Sequence, residues 1–196
     1  MTSPASYYPV FINLKGRKCV VAGGGKVAER KALSLLRSGA EVTVISPECT
    51  ARLRKEHLRG HIKYIARRFK KGDLKNAFIV IAATDSAETN GKISKDAPYL
   101  VNVVDTPLLC NFIVPSVIRR GPLTIAISTS GVSPAIAKTI RKELEGLYGG
   151  EFSRHLNYIK QMRAGALGEI RDKNKRRRFL KDLAAEAWTK LRSSKK

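Results

Sequence analysis

Acidic side chains are scarce in this chain of 196 residues. It contains 16 Asp and Glu against 38 Lys and Arg, which gives a formal net charge of +22. An excess of positive charge favours partners that carry many negative charges. Nucleic acid, an acidic membrane surface and a small molecule with several carboxylates or phosphates all meet that condition, so the charge does not choose among them.

Cysteines are few, and long apolar runs are missing. Cys19, Cys49 and Cys110 are scattered and odd in number, without the close pairing typical of a zinc site or a disulfide framework, so we expect reduced thiols. No apolar run approaches the roughly 20 residues that span a bilayer, and residues 1–4 lack the basic and apolar regions of a secretion signal. These absences predict a soluble cytoplasmic protein.

The histidines are too few and too dispersed to predict a metal site. His57 and His61 are four residues apart, but Gly60 between them argues against a stable helical pair. His155 lies far along the chain. We therefore expect surface histidines and no resident metal.

The most informative segment runs from an apolar strand into glycines and then into a helix. Gly23, Gly25 and Ala28 follow the G-x-G-x-x-A spacing of a dinucleotide-binding turn, which lets the backbone turn tightly, approach a pyrophosphate and pack the helix on its strand. The helix N-terminus then directs free N–H groups at the phosphates. A second strand at Glu41 to Ile45 completes one β-α-β unit.

The pattern of strands continues beyond this unit and predicts an α/β fold. Further strand-like runs lie at Ile62–Ala66, Phe78–Ala82, Leu100–Val104 and Leu123–Ile127. Their alternation with helix-like segments favours a Rossmann-like parallel sheet covered by helices. The run 77–83 is apolar on both faces, as expected of a central strand, and stops at Thr84 and Asp85, which should lie at the carboxyl edge where such sheets bind ligands.

The remainder of the chain is predicted to be mainly helical. Residues 117–122 are expected to form a short helix and turn, and Pro134 to open a helix capped by Ser133. Two amphipathic helices should follow from Glu151. Their expected buried residues are Phe152, Leu156, Ile159 and Met162 on one helix, and Phe179, Leu183, Ala187 and Leu191 on the other. The basic run Lys173–Arg178 joins or begins the last helix, and Ser193–Lys196 are expected to be disordered.

Six motifs occur in an order that resembles a known family. They are Pro9–Leu14, Gly23–Lys31, Ala82–Asp85, Asn102–Asp105, Phe112–Ser116 and Ser128–Pro134. Together they resemble the precorrin-2 dehydrogenase family, which includes the N-terminal part of siroheme synthase. The resemblance covers nearly the whole chain through Leu144 and is looser over the C-terminal helices.

The resemblance implies an enzyme that oxidises precorrin-2 to sirohydrochlorin with NAD and works as a homodimer. It implies a NAD-binding Rossmann domain at residues 1–113, a dimerisation segment at 114–149 and a small helical domain at 150–196. An alternative within the family adds insertion of ferrous iron into sirohydrochlorin. The methyltransferase domain of the longer siroheme synthases is absent from this sequence, so another protein would make precorrin-2.

The cofactor residues implied by the motifs lie at three strand ends. The pyrophosphate should meet Gly23, Gly24, Gly25, Lys26 and Val27. Pro47 and Glu48 should line the adenosine ribose, and Thr84 and Asp85 the nicotinamide side, although either of the latter two could instead cap a helix. The second strand carries no acid directly at its tip, which leaves NAD or NADP open, and Arg30 or Arg52 is a candidate for a 2′-phosphate.

The resemblance assigns catalysis to Asp105, which ends a strand and matches the family's catalytic aspartate. A carboxylate there can accept a proton as the tetrapyrrole is oxidised. Precorrin-2 carries eight carboxylates, so we expect Arg119, Arg120 and Lys138 to contact them. The small-residue loop of Ser128, Thr129, Ser130 and Gly131 before a helix N-terminus also suits anions.

A third reading, from another class, is a basic regulatory or nucleic-acid-binding protein with a Rossmann-like core. The sequence shows no helix-turn-helix, zinc module or basic strand interleaved with aromatic residues. Basic residues alone would bind nucleic acid in a salt-sensitive way without sequence preference. We therefore predict a small-molecule partner and no nucleic acid.

Overall fold

The computed structural model describes residues 7–193 and groups them in two compact units that meet in sequence at Val114 and Pro115. Residues 1–4, and the part of the expected disordered end beyond Ser193, lie outside the described residues. Among the helices described, none has the length and apolar character needed to cross a bilayer. The expected boundary at residues 149 and 150 stays a prediction.

The first unit is built on a five-stranded parallel sheet, as predicted. Its strands are β1 Lys18–Ala22, β2 Glu41–Ile45, β3 Lys63–Ile65, β4 Ile79–Ala82 and β5 Leu100–Val103, in the order β3-β2-β1-β4-β5. The helices are α1 Lys26–Arg37, α2 Ala51–Leu58 and α3 Ala87–Asp96, with a short 3-10 helix at Pro107–Leu109. The α/β, Rossmann-like prediction is confirmed.

The core lies on both faces of β1 and β4. Along β1, Cys19 and Val21 pack into one apolar cluster, while Val20 and Ala22 pack into a second. All four residues of β4 are buried, which confirms the prediction of a central strand. Central parallel strands covered by helices on both sides are apolar along nearly their whole length, since neither face meets water.

The chain reverses its direction of travel across the sheet at β1. It adds β2 and β3 on one side of β1 and then crosses to place β4 and β5 on the other. The loops that leave β1 and β4 at their carboxyl ends therefore diverge and open a crevice between them. This crevice lies where the sequence places the glycine turn.

The second unit contains a hairpin that the sequence reading did not predict. Strands β6 Ser116–Arg120 and β7 Leu123–Ile127 pair antiparallel in a two-stranded sheet of their own. The expected helix at 117–122 is therefore wrong, and so is the expected place of Leu123–Ile127 in the parallel sheet. A connection of two residues can join only antiparallel strands, and Gly121, with φ +57°, supplies the tight turn.

Three helices complete the second unit. They are α4 Pro134–Leu147, α5 Gly150–Glu169 and α6 Lys173–Ser193. The Ile136 N–H donates to the Ser133 hydroxyl at 3.2 Å, which confirms the predicted cap of α4. The basic run begins α6.

Burial along the last two helices follows the prediction with two exceptions. Phe152, Leu183, Ala187 and Leu191 are buried, and Leu156 and Ile159 are half-buried. Met162 and Phe179 are each 36% exposed, so their expected burial is wrong. On α5 the buried stripe continues from Ile159 to Ala166, two helical turns on, and bypasses Met162. Phe179 lies one turn before the first buried residue of α6.

Helix α2 offers a matched pair of leucines for a test of this core. Leu53 is fully buried and Leu58 is 80% exposed. We expect Leu53→Ala to lower the free energy of unfolding by about 2–5 kcal/mol, since it removes buried methyl groups and leaves a cavity. Leu58→Ala should change it by less than about 0.5 kcal/mol. Urea unfolding followed by circular dichroism measures both, and equal losses would contradict the described packing of α2.

Candidate functional site

A cavity of about 860 Å³ opens at the carboxyl edge of the parallel sheet. Its volume is typical of pockets that hold cofactors, roughly 300–1,000 Å³. Three loops form most of its wall: those that follow β1, β2 and β4. The lining residues are Gly23, Gly24, Gly25, Ile45, Ser46, Pro47, Glu48, Cys49, Thr50, Arg68, Phe69, Ala83, Thr84, Asp85, Ser86 and Thr89.

The glycine turn after β1 is held between its neighbours by close backbone contacts. A Cβ at Gly23 would collide with the carbonyl of Ala83, and a Cβ at Gly24 with the carbonyl of Glu48. Gly23 N–H donates to the Ile45 carbonyl at 2.9 Å, and Thr50 N–H donates to the Gly24 carbonyl at 3.1 Å. The first two glycines are therefore required by the fold of the turn itself.

Gly25 has a different surrounding. A Cβ at this position would meet nothing within 4 Å, and Gly25 is the N-cap of α1 without any side-chain cap. The first N–H groups of α1 lack intrahelical partners and carry the positive end of the helix dipole. The turn therefore leaves open space in front of donors that suit a phosphate.

The loop after β4 is organised by a buried asparagine. Asn90 Oδ1 accepts from the Thr84 hydroxyl at 2.7 Å, and its Nδ2 donates to the Thr84 carbonyl at 3.0 Å. The cap of α3 is Ser86, whose hydroxyl accepts from Thr89 N–H at 3.1 Å. Neither Thr84 nor Asp85 caps the helix, so the alternative role considered for them is wrong. Both residues line the cavity.

The loop after β2 is joined to the end of β3. Ser46 N–H donates to the Ile65 carbonyl at 3.2 Å, and the Tyr64 hydroxyl donates to the carbonyls of Ser46 and Pro47 at 3.0 and 3.1 Å. The segment after β3 consequently runs along the same edge and brings Arg68 and Phe69 to the cavity.

The cavity collects most, but not all, of the residues predicted for the cofactor. Seven of them line it: Gly23, Gly24, Gly25, Pro47, Glu48, Thr84 and Asp85. Lys26 and Val27 lie in the first turn of α1, outside the lining, and Arg30 and Arg52 are also outside it. The sequence reading missed Arg68 and Phe69, although the rule that parallel strands end at one edge applies equally to β3.

Asp105 lies just beyond the carboxyl end of β5, as the sequence predicts. It is exposed and adopts a left-handed backbone with φ +57°, a conformation that Asp tolerates better than most residues. It is not part of the cavity lining. The strand order puts β5 beside β4, so Asp105 follows the same edge one strand further on.

The turn that carries Asp105 is closed by Cys110. The thiol sulfur accepts from Val103 N–H at 3.1 Å, and the S–H group lies 3.3 Å from the Val103 carbonyl and 3.4 Å from the Thr106 carbonyl. Asn102 Nδ2 donates to the Phe112 carbonyl at 3.1 Å. These bonds tie residues on both sides of Asp105 together, which fixes the position of its backbone.

The pKa of Lys31 on α1 is affected by the charges of the turn that carries Asp105. Burial lowers the pKa of Lys31 and the neighbouring Arg30 lowers it further, while Cys110 and Asp105 act in the opposite direction. Asp105 is thus within electrostatic range of an ammonium group on α1, the helix that starts at the glycine turn. The sequence reading did not single out Lys31.

The residues predicted to bind the substrate belong to the second unit. In the loop, Ser130 N–H donates to the Ser128 hydroxyl, and Thr129 Oγ1 exchanges two bonds with the backbone of Ser133, all at 3.0 Å. Ser130 and Gly131 both have positive φ angles. The loop is therefore shaped by its own hydroxyls, and the capping role considered beside anion binding belongs to Ser133.

The three predicted basic residues differ in their surroundings. Arg120 Nε donates to the Tyr148 carbonyl at 3.0 Å, which ties part of its guanidinium to the end of α4. Arg119 and Lys138 are exposed. Their contact with a substrate stays a prediction.

Metal-ligating side chains do not cluster within residues 7–193. His61 Nδ1 lies 2.7 Å from Glu56 Oε2, and this hydrogen bond holds the pKa of Glu56 below its ordinary value. His57 lies near the end of α2, and the helix stops before Gly60. The two histidines therefore serve separate local contacts, as the glycine between them predicts.

The three loops fit a dinucleotide. Glycines without room for a Cβ, an open space at Gly25 and the N-terminus of α1 together form a cradle for a pyrophosphate. The cavity continues from Glu48 on one side of the turn to Thr84 on the other, which leaves one half for each nucleoside.

Comparison with known proteins agrees with this geometry. A family model described as putative NAD(P)-binding matches residues 10–116, and one described as sirohaem biosynthesis protein central matches residues 120–147. The solved structure of SirC, precorrin-2 dehydrogenase, is similar with a TM-score of 0.82 at 26% identity, covering 95% of this chain and 100% of its own. This chain belongs to the precorrin-2 dehydrogenase family.

Siroheme synthases of the same family are similar over part of their length. The protein from Methylobacillus flagellatus is 39% identical over 89% of this chain, and the protein from Nitrosospira multiformis is 38% identical over 93%. This chain spans 38% and 43% of their respective lengths. The chain is thus similar to less than half of each siroheme synthase.

Gly24 and Gly25 make a matched pair of substitutions for the cradle. We expect Gly24→Ala to lower the melting temperature, because its methyl group would collide with the Glu48 carbonyl. Gly25→Ala should lower the melting temperature less than Gly24→Ala, since its methyl group meets open space and only the N-cap preference for Gly over Ala is lost, yet it should bind NAD about 10-fold or more weakly because that space is where a pyrophosphate would lie. Thermal unfolding and calorimetric titration separate the two effects. Unchanged NAD binding by Gly25→Ala would contradict the cradle.

Proposed function

We propose that this chain is a precorrin-2 dehydrogenase that oxidises precorrin-2 to sirohydrochlorin with NAD. The observation that carries the proposal is the likeness, over 95% of the chain, to SirC, precorrin-2 dehydrogenase. A dinucleotide-sized cavity at the glycine turn supports the proposal. The carboxylate of Asp105, which follows β5 two strands away from β1 in the sheet, also supports it. The basic excess of the chain suits a substrate with eight carboxylates.

The cofactor would be held by the chain's backbone more than by its side chains. Gly23, Gly24 and Gly25 would meet the pyrophosphate together with the first N–H groups of α1. Pro47 and Glu48 would line the adenosine half, and Thr84 and Asp85 the nicotinamide half. When bound, NAD supplies the acceptor for the hydride that leaves the substrate. Lys26 and Val27 would contribute through the first turn of α1.

Asp105 would act as the general base. Oxidation of precorrin-2 removes a hydride and a proton, and an exposed carboxylate oxygen of Asp105 can accept the proton. The turn closed by Cys110 holds the Asp105 backbone, and Lys31 lies within electrostatic range of its charge. The proton therefore goes to a carboxylate whose position is fixed by the fold of β5 and its turn.

The substrate carboxylates would be bound by residues of the second unit. Arg119, Arg120 and Lys138 supply positive charge, and the Ser128–Gly131 loop supplies N–H groups ahead of α4. Arg120 Nε donates to the Tyr148 carbonyl. The guanidinium has five N–H groups in all, so donors remain for a substrate carboxylate. The three free cysteines suit a reducing compartment, so we place the reaction in the cytoplasm.

A homodimer would form through the second unit. A two-stranded hairpin such as β6–β7 is marginally stable alone. Val132, Ile136 and Leu147 present exposed apolar side chains on α4 and the loop before it. Burial of such side chains against a second copy is favourable, whereas their exposure in a monomer is not.

Removal of the Asp105 carboxylate tests the proposed base. We expect Asp105→Asn to lower kcat for precorrin-2 oxidation about 100-fold or more, because a carboxamide cannot accept the proton as a carboxylate does. The assay supplies precorrin-2 and NAD without air and follows NADH and the product chromophore together. NAD affinity should remain unchanged, since Asp105 does not line the cavity.

A matched control for this variant is Asp96→Asn, at the exposed end of α3. It should retain wild-type turnover. A full rate for Asp105→Asn would contradict the catalytic assignment, and absence of NADH formation by the wild-type chain would contradict the proposed activity.

The proposed dimer is tested by a charge placed in its apolar patch. Ile136 is 55% exposed on α4. Ile136→Glu should convert a dimer to a monomer, because the dimer would have to bury an unpaired carboxylate at its interface. Lys142→Glu, exposed on α4 but about 120° round the helix from Ile136, serves as the control. Light scattering during size-exclusion chromatography gives both masses, and a monomeric wild-type chain would contradict the dimer.

A further inference from the structure

We infer that Arg68 is a binding residue for the 2′-phosphate of NADP, and that the chain binds NADP as well as NAD. The inference rests on the proposed function in one respect only, which is that the cavity holds a dinucleotide. The family description leaves the choice between NAD and NADP open.

The tip of β2 itself carries a hydroxyl, not an acid. Dinucleotide sites selective for NAD place an acid near the ribose 2′-hydroxyl, about 20 residues after the glycine turn. In this chain the residue at the tip of β2 is Ser46, which lines the cavity. A hydroxyl can donate to a phosphate oxygen, and it carries no charge that would repel one.

Arg68 reaches this end of the cavity because β3 pairs beside β2. Ile45 and Ile65 are register partners at the last step of the pairing, and the Ser46 N–H bond to Ile65 extends the contact beyond the strands. The residues after β3 therefore pass the tip of β2, where Arg68 lines the cavity.

The residues on either side of Arg68 are anchored. Arg67 donates two bonds to the carboxylate of Asp73, at 2.6 and 2.8 Å, and this contact holds the pKa of Asp73 below its ordinary value. Phe69 packs against the apolar cluster that contains Val80 and Ala82. The backbone at Arg68 is therefore held in place between two fixed neighbours.

The charge of Arg68 is available for a ligand. Its guanidinium makes no ion pair with any residue from 7 to 193. Arg67 is already paired with Asp73, and Arg30 and Arg52 do not line the cavity. A planar guanidinium binds phosphate through two parallel hydrogen bonds, which makes it the preferred side chain for this anion.

Glu48 explains why the same cavity also accepts NAD. Glu48 lines the cavity two residues after Ser46, where a carboxylate can accept a hydrogen bond from the ribose 2′-hydroxyl of NAD. The same carboxylate would repel a 2′-phosphate, and the positive charge of Arg68 would offset that repulsion. Glu48 would thus bind the 2′-hydroxyl of NAD, and Arg68 the 2′-phosphate of NADP. The chain should therefore bind both dinucleotides, with Arg68 acting on NADP alone.

Calorimetric titration of the full chain with NAD and with NADP tests this inference. Wild-type protein should bind NADP within about 10-fold of NAD. Arg68→Gln should weaken NADP about 10-fold or more and NAD less than about 3-fold, since only the charge-assisted bonds to the 2′-phosphate are lost. Arg68→Lys should recover part of the NADP affinity, because it restores the charge without the paired donors.

Two controls keep the result specific. Arg52→Gln should leave both affinities near wild type, because Arg52 lies outside the cavity lining. Adenosine 2′,5′-bisphosphate should bind more tightly than adenosine 5′-monophosphate to the wild-type chain, and this difference should fall with added salt and vanish in Arg68→Gln.

The inference is overturned by any of three results. They are NADP binding more than about 100-fold weaker than NAD binding in the wild type, equal losses for the two dinucleotides in Arg68→Gln, or a selective loss for NADP in Arg52→Gln. NAD binding that persists in these cases leaves the proposed dehydrogenase intact. If the chain bound neither NAD nor NADP, both this inference and the proposed dehydrogenase function would be overturned.

Discussion

The close approach of three backbone segments at the carboxyl edge of the sheet determines the whole site. Gly23 and Gly24 contact the carbonyls of Ala83 and Glu48, so the loops after β1, β2 and β4 share one wall. This approach is possible because the strands are parallel and end together. A side chain at either glycine would collide with these carbonyls and force the loops apart.

The same edge positions the proposed base without making it part of the cofactor cavity. Asp105 follows β5, beside β4, and its turn is closed by the Cys110 thiol. The electrostatic effect of Asp105 reaches Lys31 on α1, the helix that begins at the glycine turn. One sheet therefore places both halves of the proposed chemistry, hydride acceptance and proton acceptance, on rigid elements.

Much of the first unit could be predicted because its signals are local. The apolar run of β4, the glycines after β1 and the strand at Glu41–Ile45 each depend on a few adjacent residues. Pro134 and Ser133 likewise predict the start of α4, since a cap needs only neighbours within one turn. The hairpin at 116–127 was missed because a strand with one buried residue, Ile118, resembles a short amphipathic segment until its pairing partner is known.

The parallel α/β fold, the glycine turn and the place of Asp105 at a strand end could be predicted from the amino-acid sequence, because each depends on periodicity or on residues close in the chain. The presence of Arg68 and Phe69 in the cavity lining, the absence of Arg30 and Arg52 from it, and the capping of α3 by Ser86 could be seen only in the folded chain. The physical reason is that these outcomes depend on which strand ends lie side by side and which hydrogen bonds form across the loops. Strand order is a long-range property, and spacing along the chain does not carry it.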